Sequence, residues 1–304
     1  MTDHLEPFRL VQVHRWSASL FAKLTFPRFG HRLQMAGTDR SVMAVGAVSG
    51  DHAAGLVLGE HQLEGGVSEV LSLYVAPSYR GRGIGTALLK ELEAVSTARG
   101  CQRMELVYVE KPPATHALER LLLRLDWQPP QVRMVLCKVD RRVLQASWFT
   151  KPNLPPEFEV FPWCDLRLDE RVEIERSQRE RSWYPETLSP FQDEDTQEPV
   201  TSLGLRYQGA VAGWLITHRL DARTVRYTTL FVREDLRGQH CWLALLHEAL
   251  QRQAQALGLQ SLGSFGVHAQ NASMLRLLDT YLAPYLAERR ESRGTFKLLR
   301  RHQG

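Results

Sequence analysis

Residues 80–86 read Arg-Gly-Arg-Gly-Ile-Gly-Thr and join an apolar stretch, VSEVLSLYVAP, to an amphipathic segment that begins at Ile84. The start of a helix exposes backbone N–H groups that lack intrahelical partners, and aligned peptide dipoles add partial positive charge there. An anion can use those groups only if the main chain comes close, and a side chain at Gly83 or Gly85 would hold it away. Arg80 and Arg82 can add charge-assisted hydrogen bonds. The turn therefore reads as a cradle for a pyrophosphate. Two other phosphate motifs fit it less well. A P-loop requires Gly-Lys-Ser/Thr after four residues, which is absent. A dinucleotide fingerprint requires GxGxxG at the first strand of its domain, whereas this turn lacks the last glycine and follows the fourth strand.

The elements that must hold this turn alternate between strand and helix. FRLVQVH predicts a strand, and WSASLFAKLTFPRFGHRL a helix stopped by Pro27 and Gly30. SVMAVGAV and AAGLVLGEHQL predict two strands joined around Gly50 and Asp51, a hairpin signal. The long strand that ends at Pro77 follows, then a helix from Ile84 to Ala98 with Ile84, Ala87, Leu88, Leu92 and Val95 on one face. RMELVYV predicts a strand, ATHALERLLLRL a helix, and QVRMVLCKV a final strand. The proline-rich stretch QASWFTKPNLPPEF has no helical period and marks a linker.

The pattern then recurs. Adding 157 to Leu73, Val75, Arg80 and Leu88 gives Leu230, Val232, Arg237 and Leu245, so a strand, turn and helix are repeated in register. A chain of 304 residues suits two domains of this kind, here 1–142 and 158–304 around a linker at 143–157. The second copy has lost the cradle: His240 stands for Gly83 and Trp242 for Gly85.

Composition narrows the class. Hydrophobic residues make up 43% and charged residues 24%, ordinary values for a globular chain able to bury two cores. Residues 1–142 hold 18 Lys+Arg against 14 Asp+Glu, and the remainder 20 against 20, so the net charge of +4 lies in the first half. That favours an anionic ligand or an acidic partner. No basic stripe interleaves with aromatics, which argues against nucleic-acid binding. No apolar run approaches the roughly 20 residues that span a bilayer, and the first ten residues do not form a signal peptide. Cys101, Cys137, Cys164 and Cys241 are scattered without a CxxC pair, which offers no metal framework and suits a reducing cytoplasm.

The motif R-x-x-G-x-G after LYVAPSY, ahead of an amphipathic helix, resembles the acetyl-CoA motif of the GNAT superfamily of N-acyltransferases, over residues 8 to about 140. The resemblance implies an α/β fold of two tandem GNAT-type domains, each a mixed central sheet flanked by helices. It also implies a strand at 70–75 that splays from the strand at 104–109. Leu73, Tyr74 and Val75 would then take the pantetheine arm of acetyl-CoA, the co-substrate. Arg80, Gly81, Arg82, Gly83, Ile84, Gly85 and Thr86 would take its pyrophosphate, and no metal is required. An amine would attack the thioester directly, with no covalent enzyme intermediate.

Such an attack needs a base, because an alkylammonium has a pKa near roughly 10.4. Glu69 occupies the place where histone-acetylating members of the family carry theirs. By period two it shares a face with Leu71, Leu73 and Val75, an apolar setting that would raise its pKa. Glu110, at the end of the next strand, is where other members place a glutamate, and Tyr108 could reach the same crevice. The family's tyrosine acid on the last helix is replaced by Leu122, and the asparagine that opens this helix by Thr115, so Tyr108, a water or no residue protonates the departing thiolate. In the second copy Arg226 stands for Glu69, and Asn271 is kept while the tyrosine position is Leu278, which implies a degenerate domain without cofactor. The acceptor would be a small-molecule amine or a protein amine, and a homodimer is an admissible assembly. An acetyl-CoA sensor or interaction scaffold without turnover is the alternative.

Overall fold

The computed structural model describes residues 7–62, 65–150 and 152–299. From Phe8 to Val139 the described residues form β1 (Phe8–Gln12), α1 (Ala18–Phe21), α2 (Gly30–Gln34), β2 (Val42–Ser49), β3 (His52–Gln62), β4 (Val67–Val75), α3 (Ile84–Ala98), β5 (Arg103–Val109), α4 (Ala114–Arg124) and β6 (Gln131–Val139). There follow β7 (Phe158–Pro162), α5 (Leu168–Arg181), β8 (Leu203–Tyr207), β9 (Ala210–Arg219), β10 (Thr224–Val232), α6 (Cys241–Leu257), β11 (Leu262–His268), α7 (Ala272–Leu277) and β12 (Leu286–Leu298). The tail beyond Leu299 and the first six residues, which bear on the signal-peptide reading, lie outside the described residues.

Two compact units result, and they do not coincide with the sequence halves. One comprises Met1–Arg133 with Glu291–Gly304, the other Met134–Arg290. In the first, β1 to β4 pair antiparallel in chain order and β4 pairs parallel with β5. The strand beyond β5 is the C-terminal part of β12, with Ser292 opposite Val109 and Leu298 opposite Arg103. In the second unit the corresponding place beside β11 is filled by β6, with Val139 opposite Gly263 and Met134 opposite His268. The final strand of each half therefore completes the sheet of the other. Residues 143–157 are not a bare linker either: Val143, Ala146 and Phe149 are buried against Leu250 of α6.

Helix α3 covers one face of the first sheet. Ile84, Leu88, Leu89 and Leu92 are fully buried against Val45, Val57, Val70 and Met104, each contributing about 1.5–3 kcal/mol by leaving water. The other face packs on the segment 18–36, through Phe21, Leu24, Leu33 and Ala36 against Val42, Leu56 and Leu58. That segment is broken into short turns, and Gly30 begins α2 instead of ending a longer helix. In the second unit Trp163, Tyr184, Trp214 and Phe231 fill the core on one side of the sheet.

Candidate active site

The parallel ladder between β4 and β5 runs from Val67 opposite Arg103 to Val70 opposite Leu106 and, among the described residues, goes no further. From there the strands splay. On its other side β4 stays paired with β3 as far as Val75, and Ala76 N–H donates to the Ala54 carbonyl at 2.9 Å. In an antiparallel ladder alternate residues bond the same neighbour. Tyr74 and Ala76 therefore spend their main-chain groups on β3, while Leu73 and Val75 turn theirs into the gap. The Val75 carbonyl accepts there from Arg80 Nε at 3.0 Å.

The gap leads to the glycine turn. Gly81 and Gly83 have φ of +78° and +79°, and Gly83 caps the N-terminus of α3. A Cβ at either would meet nothing within 4 Å, so the requirement there is the left-handed backbone and not lack of room. A Cβ at Gly85 would touch Leu121 at 3.4 Å and Val75 at 3.7 Å, an ordinary contact, so a methyl fits there while a large ring would have to extend beyond. Arg82 braces the turn through the Ser78 carbonyl at 2.8 Å, and Arg80 lies over the Tyr74 ring at 5.8 Å. Open space, free amides at the end of a 15-residue helix, the exposed Arg80 and the half-buried Arg82 fit the diphosphate of an acyl-CoA.

Glu69 is not where period two alone would put it. Between Ser72, opposite Leu58, and Val70, opposite Gly59, the register skips Leu71, a β-bulge. The bulge resets the alternation. Leu73 and Val75 pack with the α3 core, whereas Leu71 packs with the opposite one and Ser72 Oγ lies 2.9 Å from Thr25 Oγ1. Glu69 shares the face of Leu71 and Ser72 and lies opposite that of Leu73 and Val75. Its cross-strand neighbours are Glu60 on β3 and Glu105 on β5. Glu60 is paired with Arg32 at 3.2 Å and Glu105 with Arg103 at 2.9 Å, while the Glu69 carboxylate has no ion pair or hydrogen bond among the described residues. Burial, followed by the charges of Glu60 and Glu105, raises its pKa above the usual carboxylate range, against the opposing pull of Arg133 and Arg28.

Tyr108 and Glu110 come together elsewhere, around Arg293 of β12. Tyr108 packs beside the α3 core and donates its hydroxyl proton to Glu119 of α4 at 2.7 Å. Glu119 also accepts from Arg293 at 2.9 Å, Arg293 is paired with Glu291 at 2.8 Å, and Glu110 lies 3.8 Å from the same guanidinium. Burial and the bond to Glu119 push the ionisation of Tyr108 upward, and that same bond is the chief reason the Glu119 carboxyl is held low. Leu122 is buried in the core, and Thr115 Oγ1 accepts from Lys111 N–H at 2.7 Å. Sequence reasoning missed Glu60, Glu105, Glu119, Arg133 and Arg293. The first two could have been found by aligning β3 and β5 on Glu69, but nothing local to residue 293 ties it to residue 119.

The second unit keeps this frame with other chemistry. Its bulge falls at Thr228, and pairing of β10 with β11 ends at Arg226 opposite Ser264. Arg226 faces His218 and Ser264, where the first unit has Glu60 and Glu105. His240 caps α6 with φ of +54°, keeping the left-handed turn despite its side chain, while Gly238 is taken up in a 3-10 helix, Glu234–Gln239. Trp242 packs against the cluster that includes Val232 and Leu245, and Asn271 caps α7 by accepting from Met274 N–H at 3.0 Å. Among the described residues no cluster of His, Cys, Asp and Glu could hold a metal ion, and no helix is long and apolar enough to cross a membrane.

The acetyltransferase (GNAT) family is matched twice, over residues 10–122 and 167–280. No curated protein matches the chain. Among solved structures, a tandem GNAT protein from the clavulanic acid biosynthesis pathway aligns with a TM-score of 0.67 at 15% identity, covering 97% of this chain and 99% of that one. The GCN5-related N-acetyltransferase from Sphaerobacter thermophilus aligns at 0.61 and 21% identity, with 97% of each chain covered. One from Kribbella flavida aligns at 0.51 and 14% identity, covering 98% of this chain and 73% of that one. These likenesses speak for the fold, and the two family matches span most of the sequence. The chain belongs to the acetyltransferase (GNAT) family as a tandem of GNAT domains, and that membership supports acyl-CoA N-acyltransferase activity.

Proposed function

We propose that the first unit transfers an acetyl group from acetyl-CoA to a primary amine, and that the second is a degenerate copy that binds no acyl-CoA. The observation that carries this reading is the open edge of Leu73 and Val75 leading directly to the left-handed glycines at the start of α3. Acetyl-CoA, when bound, supplies the thioester carbonyl that the amine attacks and the thiol that leaves. Leu73 and Val75 would hold its pantetheine amides, with Tyr74 beside them. The amides from Gly83 to Thr86, with Arg80 and Arg82, would hold its diphosphate.

Glu69 accepts the amine proton, directly or through a water. Its raised pKa brings it closer to the range in which a general base works best. Glu110 is the second candidate. Tyr108 is a weak acid in this setting, because a tyrosinate beside Glu119 is disfavoured. The departing thiolate therefore takes its proton from Tyr108 only when that hydroxyl leaves Glu119, and otherwise from water. The buried Leu122 favours the second reading, a sensor that binds acetyl-CoA without turnover. Calorimetry with acetyl-CoA, followed by thiol release across a panel of amines, tests both. Binding with thiol release supports the enzyme, binding with no release for any acceptor supports the sensor, and absence of binding sinks both.

A further inference from the structure

We infer that the acceptor is a zwitterion of the amino-acid class, whose carboxylate is read by Arg28 and Arg133 while Glu69 takes the proton of its amine. This rests on the reading of Glu69 as the base. Glu60 is neutralised by Arg32 and Glu105 by Arg103. Of the charged groups that act on Glu69, that leaves Arg28 and Arg133, with Glu69 itself, without an ion pair among the described residues. Both arginines are near enough for their charges to act on Glu69. A substrate that presents only ammonium groups would meet two unpaired guanidinium groups here, whereas one that also carries a carboxylate complements all three.

Both arginines are held for such a task. Arg28 lies over the Phe29 ring at 4.5 Å and the Phe26 ring at 5.7 Å, and the two rings meet edge to face at 6.2 Å. A stacked guanidinium keeps its in-plane donors free for a carboxylate. The segment that carries it is tied to β4 through Thr25 and Ser72. Arg133 lies across Gly294 of β12: a Cβ at Gly294 would come within 2.5 Å of Arg133 Cδ and 3.2 Å of its Cγ. Gly294 is opposite Val107, two residues along β5 from Glu105. The missing side chain thus clears a track along which Arg133 reaches toward Glu69.

The test uses the full chain with saturating acetyl-CoA and matched acceptors: phenylalanine, leucine and lysine, each against its decarboxylated amine and its amide. Thiol release gives kcat/KM for each. The carboxylate member should exceed its partners by about 10- to 100-fold, the range of one or two charge-assisted bonds. In Arg28→Gln and Arg133→Gln that ratio should fall toward one, through KM more than kcat. An aminoalkylphosphonate arm separates carboxylate from phosphate-type recognition, and preference for the phosphonate overturns the amino-acid assignment. Equal or better use of the decarboxylated amines, or arginine variants that slow both members alike, overturns the zwitterion while leaving the amine acceptor standing. Transfer to no acceptor, with acetyl-CoA bound, overturns the amine reading itself and this inference with it.

Discussion

Replacing Gly83 tests the cradle most directly. In Gly83→Ala the new methyl meets nothing within 4 Å, so packing is untouched and the penalty is that of a left-handed residue, about 1–2 kcal/mol. At about 2–4 °C per kcal/mol this lowers the melting temperature by about 2–8 °C. If the turn instead relaxes to negative φ, binding must restore it, and the Kd for acetyl-CoA rises about 5- to 30-fold. Gly83→Trp carries the same backbone penalty and adds an indole in the space beside the helix start. Loss of two charge-assisted bonds at about 1.5–3 kcal/mol each weakens binding more than about 100-fold. Calorimetric titration with acetyl-CoA, alongside thermal melts of both variants, separates backbone from bulk. If the tryptophan variant binds as tightly as the alanine variant, the open space is not where the diphosphate sits. If both match the parent, the cradle reasoning fails outright.

Four further outcomes are expected. Glu69→Gln should leave acetyl-CoA affinity intact and lower kcat about 10²- to 10⁴-fold; an unchanged rate would move the base to Glu110. Because Glu105 helps raise the Glu69 pKa and the base must be ionised, Glu105→Gln should lower that pKa and move the acid limb of the kcat/KM profile to lower pH. A shift the other way would break the assignment. In the second unit Arg206 holds Glu170 through two bonds of 2.6 and 3.1 Å, both side chains buried. Arg206→Ala leaves that buried carboxylate to Arg167, whose N–H donates to it at 2.9 Å and whose guanidinium lies 3.2 Å away, and should destabilise the unit by about 1–3 kcal/mol, read from denaturant unfolding; a loss below 1 kcal/mol would show that water replaces the arginine. Residues 1–142 expressed alone lack Ser292–Leu298 and bare the edge of β5. That fragment should self-associate in size-exclusion chromatography, and a stable folded monomer would contradict the exchanged strand.

Much of the protein was determined by its sequence alone. The glycine turn, the helix face of Ile84, Leu88 and Leu92, the hairpins and the repeat at an offset of 157 all rest on chemistry local to a few residues. Local rules suffice there, because a left-handed backbone or a helical stripe is set by neighbours in the chain. Only tertiary structure decided which face Glu69 takes, since one extra residue at Leu71 resets a period of two and leaves no mark in composition. Likewise only the fold joined Arg293 to Glu119 and laid Arg133 across Gly294. A strand's edge bonds through its backbone, which is the same in every residue, so the sequence of β5 does not name the distant strand that will pair with it.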